Sequence, residues 1–272
     1  MDTFVEPAEL ADLLDDGTDA VRVVDVRWAL DDPAAGPRAY AQAHVPGAVF
    51  LGWLTDWSDP GDRVEGQLAA APLFAEVLGR AGIGPDTTVV AYDDGVLYLA
   101  ARLTWALRHY GHDRVRILAG GFPAWLRAGL PTTADVPAPA AREFPVPEPG
   151  ALRATLPDVV AALEDGSAAI VDCRMPSTYA AAGGHIPGAT RLPAPQLFDP
   201  GTGRLRDAGE LRRQAEAAGV AAERPTILYC GAGVSAAAAY VALREIGIED
   251  VRVYDGSWSE WCTTPGTPRE EH

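Results

Sequence analysis

One short segment, Cys230-Gly231-Ala232-Gly233-Val234-Ser235, has the residue types and spacing for nucleophilic chemistry. Cys230 ends the apolar run TILYC (226–230), two glycines follow, and VSAAAAYVALREIG (234–247) reads as a long helix stopping at Gly247. A strand end that passes through glycines into a helix start turns several backbone N–H groups into one small concavity. With the positive end of the helix dipole, those groups hold an anion, and the same field favours thiolate over thiol. Glycine lets the backbone approach a bound atom and take turns closed to other residues. A cysteine that is already a thiolate attacks without a separate base. The competing reading is a cysteine buried for packing, since free cysteine is among the most buried residue types. That reading suits Cys173, inside the strand-like run AAIVDC (168–173), and Cys262, after an aromatic helical turn; both are taken as structural.

Two other cysteine chemistries fit less well. Cysteine phosphatases place an arginine six positions after the nucleophile to hold three phosphate oxygens. Here that position is Ala236, and the next arginine is Arg244, well into the helix. The loop is sized for one anionic atom rather than a tetrahedral oxyanion. For Cys–His hydrolysis, none of His44, His109, His112, His185 and His272 carries a pairing signal.

The elements that must position the loop occur twice. VVDVR (23–27) recurs as IVDCR (170–174), HVPGA (44–48) as HIPGA (185–189), and TVVAYD (88–93) as PTILYC (225–230). ALRHYGHDRVRILAGGFPAW (106–125) aligns without a gap on ALREIGIEDVRVYDGSWSEW (242–261). Four blocks in one order mark a duplication of about half the chain, a period too long for a solenoid. Asp93 stands in the first copy where Cys230 stands in the second. Five prolines, at 137, 139, 145, 147 and 149, favour extended backbone between the copies. The division expected is a first domain at 1–136 without a reactive cysteine, a linker at 137–149 and a second domain at 150–272.

Within the second copy, strand and helix signals alternate. LPDVVAALEDG (156–166), with Thr155 as N-cap, and DAGELRRQAEAAG (207–219) read as helices; TILYC and VRVYD (251–255) read as strands; SWSEW starts a short helix. The fold class expected is α/β, two tandem domains, each a parallel sheet flanked by helices on both faces, with ligands beyond the carboxyl ends of the strands.

Composition narrows the partners. Across 272 residues, 22 Lys and Arg against 38 Asp and Glu leave a formal charge of −16, with no basic run, which argues against a nucleic-acid or anionic-membrane binder. Hydrophobic residues at 48% and charged residues at 22% suit a folded globular chain. Three cysteines without a CxxC pair indicate neither a disulfide framework nor a zinc finger, so no metal is expected. MDTFVEPAEL is acidic and does not lead into an apolar segment, so no signal peptide is expected, and no apolar run reaches the length of a membrane span. A reducing cytoplasm is the expected compartment, and the internal duplication is compatible with a monomer.

The chain resembles the tandem-domain rhodanese-type sulfurtransferases, a group that includes thiosulfate and 3-mercaptopyruvate sulfurtransferases. The resemblance spans nearly the whole chain and rests on DVRW (25–28), DCR (172–174), HVPGA and HIPGA, CGAGVS (230–235) and DGSWSEW (255–261). It implies a two-step reaction with no metal or organic cofactor. Cys230 takes sulfur from a small donor, becomes a persulfide, and gives the sulfur to cyanide, a thiol or a protein thiol. Gly231, Ala232, Gly233, Val234 and Ser235 would stabilise the persulfide, Ser235 adding a hydroxyl donor. Trp28 and Tyr98 approximately match first-domain aromatics that line the mouth of the site; domain packing is the alternative.

The loop form is closer to the mercaptopyruvate branch, because Gly231 and Ala232 stand where the thiosulfate branch places basic residues. Three departures from the family remain. Ala232 replaces a usual Ser or Thr. Thr178 stands near the usual place of an arginine that holds the donor anion. GDRVEGQLAAAPLF (61–74) lacks the usual histidine. Arg63, Arg102, Arg191 and Arg204 are the candidate replacements for that arginine, each also readable as a surface or structural residue. The missing clamp motivates an alternative, a persulfide carrier with little turnover of small donors.

Residues present in both copies are read as structural, because only one copy has a reactive cysteine. Asp25/Arg27 and Asp172/Arg174 are expected to be ion pairs or loop braces. His44 and His185 are expected to bond backbone near a turn. Trp258 and Trp261, three apart, are expected to fill core near the loop.

Overall fold

The computed structural model describes every residue except Met1, Asp16, Thr18, Asp19 and His272. Its strands are β1 (Phe4–Val5), β2 (Val21–Asp25), β3 (Val49–Phe50), β4 (Thr88–Tyr92) and β5 (Val115–Leu118), then β6 (Arg153–Ala154), β7 (Ala169–Asp172), β8 (Thr190–Arg191), β9 (Thr226–Tyr229) and β10 (Val251–Tyr254). They form two five-stranded sheets, ordered β1-β5-β4-β2-β3 and β6-β10-β9-β7-β8. Every strand pairing is parallel. The second order repeats the first, element for element, so the duplication extends to topology.

The central strands are apolar and β-branched because helices cover them on both faces, where no polar side chain finds water. VVD of β2 and all of TILY in β9 are buried. In the first unit the helices are α1 (Pro7–Asp15), α2 (Ala35–Gln42), α3 (Trp53–Asp56), α4 (Ala71–Arg80), α5 (Tyr98–His109) and α6 (Gly121–Arg127). In the second they are α7 (Leu156–Asp165), α8 (Pro176–Ala181), α9 (Ala208–Ala217), α10 (Val234–Glu245) and α11 (Ser257–Trp261). Thr155 caps α7 as expected: the Asp158 carboxylate accepts from its N–H at 2.7 Å and from its hydroxyl at 2.6 Å. Asp207 caps α9 by accepting from Glu210 N–H at 2.9 Å. The first core gathers Val5, Val23, Val90, Leu118 and Trp125; the second gathers Ala154, Ile170, Ile227, Tyr254 and Trp261.

Compactness divides the chain into one unit of residues through Gly61, Leu68–Gly150 and Gly201–Arg204, and another of Asp62–Gln67, Ala151–Pro200 and Leu205 onward. The proline-rich segment carries no helix or strand, and it runs along the first unit. Arg142 N–H donates to Gly79 O at 3.0 Å, and Gly150 N–H to His109 O at 2.7 Å.

The repeated aspartate–arginine pairs are the ion pairs expected. Arg27 Nη2 meets Asp25 Oδ2 at 2.6 Å, and Arg174 Nη2 meets Asp172 Oδ2 at 2.5 Å, all four side chains buried. Each guanidinium also braces a loop, donating to Ala43 O at 2.8 Å or Gly184 O at 3.0 Å. His44 bonds backbone as expected, through Nδ1 to Tyr40 O (2.7 Å) and Nε2 to Asp135 O (3.1 Å). His185 departs from the expectation: its ring meets side chains, Tyr179 Oη at 3.4 Å and Glu270 Oε2 at 3.5 Å. The backbone at this turn is held separately, by paired bonds between His185 and Glu270.

Candidate active site

Cys230 directly follows β9 and is 2% exposed. The chain then turns through Gly231 and Ala232 to Gly233, the N-cap of α10, whose φ of +73° is left-handed. That conformation is open to glycine at little cost, so Gly233 is what lets strand pass into helix in so few residues. At Gly231 a Cβ would meet nothing within 4 Å beyond its own chain neighbours, so the loop has room at that residue. The first-turn N–H groups of α10 lack intrahelical acceptors, and they gather at this turn.

Ser257, not singled out as a site residue by the motif reading, holds the loop in shape. Its hydroxyl donates to Tyr254 O at 2.8 Å and accepts from the N–H groups of Cys230 (3.1 Å) and Gly233 (3.0 Å). Two further bonds fasten the loop to α11: Trp258 N–H to Cys230 O and Ser259 N–H to Gly231 O, both 3.0 Å. Ser257 is fully buried with φ of +50°, a strained conformation for a residue with a Cβ. The duplication carries the signal that could have found it, because the gapless alignment puts Gly121, with φ of +60°, at the same place. Serine stands where the first copy relaxes the backbone with glycine, and the hydroxyl is the gain.

Ser257→Ala removes the acceptor from two buried N–H groups and is expected to lower stability by about 1–3 kcal/mol. Ser257→Gly removes the same acceptor but relaxes the backbone, and so costs roughly 1 kcal/mol less. Any activity that depends on Cys230 is expected to fall about tenfold in both, through loss of loop geometry. Urea denaturation and steady-state rates check this; wild-type rates in both variants would remove Ser257 from the site.

The first copy shows what such a loop does with an anion. The Asp93 carboxylate folds back into its own turn and accepts from the N–H groups of Gly95 (2.9 Å), Leu97 (3.1 Å) and Ala100 (3.3 Å). Burial pushes this carboxyl up, the three N–H groups offset only part of that, and the charge of Asp94 adds to the rise. The first copy thus fills its cradle with its own side chain.

Ser235 is the second residue of α10, and its hydroxyl donates to Cys173 O at 3.3 Å. Trp258 and Trp261 are 8% and 0% exposed and belong to the second core, as expected. Trp28 and Tyr98 lie in the first unit. Trp28 packs edge-on against Trp53 with centroids 5.1 Å apart, and Tyr98 is the first residue of α5. The candidate arginines all have protein partners. Arg63 meets Thr264 Oγ1 (2.7 Å) and Glu260 (3.6 Å), and Arg204 pairs with Glu6. Arg102 is fully buried over the rings of Trp53 and Trp105, and Arg191 lies 3.8 Å from the Tyr179 ring centroid. Of the remaining histidines, His109 stacks with Trp105 and His112 Nε2 bonds Thr87 O at 3.0 Å; His272 lies outside the described residues. No group of three or more metal-ligating side chains occurs among the described residues.

Two duplicated parallel sheets, one with a cysteine at a strand-to-helix turn and one with an aspartate folded into its own turn, define a two-domain class of protein. The rhodanese-like domain model matches residues 6–128 and again 155–264. The chain belongs to the rhodanese-like family, among its two-domain sulfurtransferases. It is 31% identical to 3-mercaptopyruvate sulfurtransferase of Escherichia coli K12, over 98% of this chain and 97% of that one. It is 32% identical to the sulfur carrier protein TtuD of Thermus thermophilus, over 84% and 86%. The crystal structure of SseA from Escherichia coli, described as a 3-mercaptopyruvate sulfotransferase, superposes with a TM-score of 0.86 at 30% identity, covering 95% of this chain and 99% of that one.

Proposed function

We propose that Cys230 carries sulfane sulfur as a persulfide between a small anionic donor, thiosulfate or 3-mercaptopyruvate, and a thiophilic acceptor, cyanide or a thiol. The observation that carries this reading is the Cys230 turn itself, which follows its strand as the Asp93 turn does but reaches its helix one residue sooner and has no carboxylate inside it. With thiosulfate, the Cys230 thiolate attacks the outer sulfur, the S–S bond breaks, and sulfite leaves with the electron pair. The acceptor then attacks the outer persulfide sulfur, and the Cys230 thiolate returns as leaving group. Donor and acceptor use one site in turn, which is ping-pong kinetics. The N–H groups of Gly231, Ala232, Val234 and Ser235 stabilise the charge on the outer sulfur throughout, while that of Gly233 stays on the Ser257 hydroxyl. No cofactor enters these steps.

Phosphate chemistry is disfavoured. Ala236, where a phosphatase needs arginine, is fully buried along with Ala237, Ala238 and Ala239. A monomer in a reducing compartment such as the cytoplasm suits a thiolate that must stay free. The carrier reading draws support from the partners already held by Arg63, Arg102, Arg191 and Arg204, and from the likeness to a protein named a sulfur carrier.

Peptide mass after incubation with each donor separately tests the proposal. One added sulfur atom on the Cys230 peptide, removed by cyanide, is the expected result. Labelling by one donor names the branch. Stoichiometric labelling with poor transfer to cyanide favours the carrier, and labelling by neither donor overturns the substrate assignment.

A further inference from the structure

Cys173 and Cys230 are neighbours across the sheet. β7 and β9 pair in parallel with Asp172 opposite Tyr229. The ladder runs one step further, because Cys173 N–H donates to Tyr229 O at 2.8 Å. The next pair in register is therefore Cys173 with Cys230. Register partners project from the same face of a sheet, on strands about 4.8 Å apart. A disulfide joins Cα atoms about 4.4–6.8 Å apart. Both thiols are buried, 0% and 2% exposed. Cys230 leads into Gly231, where open space lets the turn adjust. The first copy has no such pair: Val26 makes the matching bond to Tyr92 O, and Asp93 stands for Cys230.

The ionisable groups that act on Cys173 agree with this placement. Burial pushes its thiol well up, and the charges of Cys230 and Asp172 push it further. Cys173 is therefore a protonated thiol at neutral pH, a slow nucleophile and a proton donor beside Cys230.

We propose that Cys173 is an internal acceptor for sulfur-loaded Cys230, closing a Cys173–Cys230 disulfide and releasing hydrosulfide when no outside acceptor arrives. This rests on the persulfide reading above. As the Cys173 sulfur attacks Cys230 Sγ, its proton passes to the outer sulfur; the bond from Sγ to the outer sulfur breaks, and HS⁻ leaves with the electron pair. The sulfane sulfur is reduced to sulfide by two electrons, one from each cysteine sulfur, so no outside oxidant is needed. A dithiol reductant reopens the pair by exchange. The chain thereby gains a second activity, hydrosulfide release, and a resting state in which the nucleophile is covered. The raised Cys173 thiol keeps this route slow, leaving external transfer first.

The test uses the whole chain, loaded anaerobically with whichever of thiosulfate or 3-mercaptopyruvate labels it, freed of donor and held without acceptor. Wild type is expected to lose the added sulfur, release one equivalent of sulfide, and yield a Cys173–Cys230 cross-linked peptide. Cys173→Val, which copies Val26, is expected to keep its persulfide about tenfold longer or more. Cys173→Ser serves the same purpose should valine disturb folding. Equal persistence in wild type and variants, without the cross-link, overturns the proposal and leaves the persulfide reading standing. A cross-link to Cys262 instead also overturns it. Failure of both wild type and variants to load with either donor overturns the persulfide reading first.

Discussion

Cys230→Ser is expected to fold normally and to transfer no sulfur above the blank rate, a loss of about 10⁴-fold or more. Serine differs from cysteine by one atom, and Cys230 is held through its backbone: N–H to Ser257 Oγ, carbonyl from Trp258 N–H. None of those bonds involves the sulfur, so the turn survives the exchange. The chemistry does not survive it. A serine hydroxyl is not ionised near neutral pH, and its oxygen cannot form and release a persulfide. The remaining cost is a buried hydroxyl, about 1–2 kcal/mol where it finds no partner. Steady-state transfer from thiosulfate and from 3-mercaptopyruvate to cyanide, beside a denaturation curve, separates the two effects. Wild-type turnover in Cys230→Ser would remove the cysteine from the mechanism. An inactive variant that has also unfolded would be uninformative, so Cys230→Ala, which buries no hydroxyl, is measured in parallel.

Much of this site is legible in the sequence alone, and the reasons are local. The apolar run TILYC, the glycines after it and the helix ending near Gly247 lie within one continuous stretch, and each signal speaks for its own neighbourhood. The repeated blocks were equally readable, and they carried the parallel sheets and both buried ion pairs. What was missed depends on distance in the chain. Ser257 acts on Cys230 across a separation of 27 residues, and its role follows from a backbone angle that composition does not display. Cys173 read as core because it ends a buried strand, and it is buried. Its neighbour is set by strand register, where a slip of one residue would turn it to the opposite face. His185 diverged from His44 because Tyr179 and Glu270 approach its ring, and the HxPGA pattern contains neither residue. The filled cradle at Asp93 was half readable: the aspartate was seen in the place of the cysteine, but its three bonds come from the loop's fold.

Arg174→Leu is expected to destabilise the second unit by about 3–5 kcal/mol, a large share of the roughly 5–15 kcal/mol that holds a domain together. Arg174 grips Asp172 through Nε at 3.0 and 2.9 Å and Nη2 at 2.5 Å, and it also donates its backbone N–H to that carboxylate at 2.9 Å. Its guanidinium lies among the rings of Tyr179, Trp258 and Tyr229, at 4.9, 4.7 and 5.8 Å. Removing the arginine leaves the Asp172 carboxylate 1% exposed and without its counter-charge. It also frees Gly184 O, which anchors the turn that carries the HIPGA block. Asp172 faces Tyr229 in the β7–β9 register, one residue before the Cys173 and Cys230 pair, so the loss reaches the frame of the nucleophile. The double variant Asp172→Asn/Arg174→Leu isolates the cause. If the uncompensated charge dominates, the double variant recovers much of the loss; if the brace to Gly184 dominates, it recovers little. Guanidinium denaturation of the two variants reads this directly. A single variant within about 1 kcal/mol of wild type would mean the pair is no more than a surface-grade salt bridge, despite its burial.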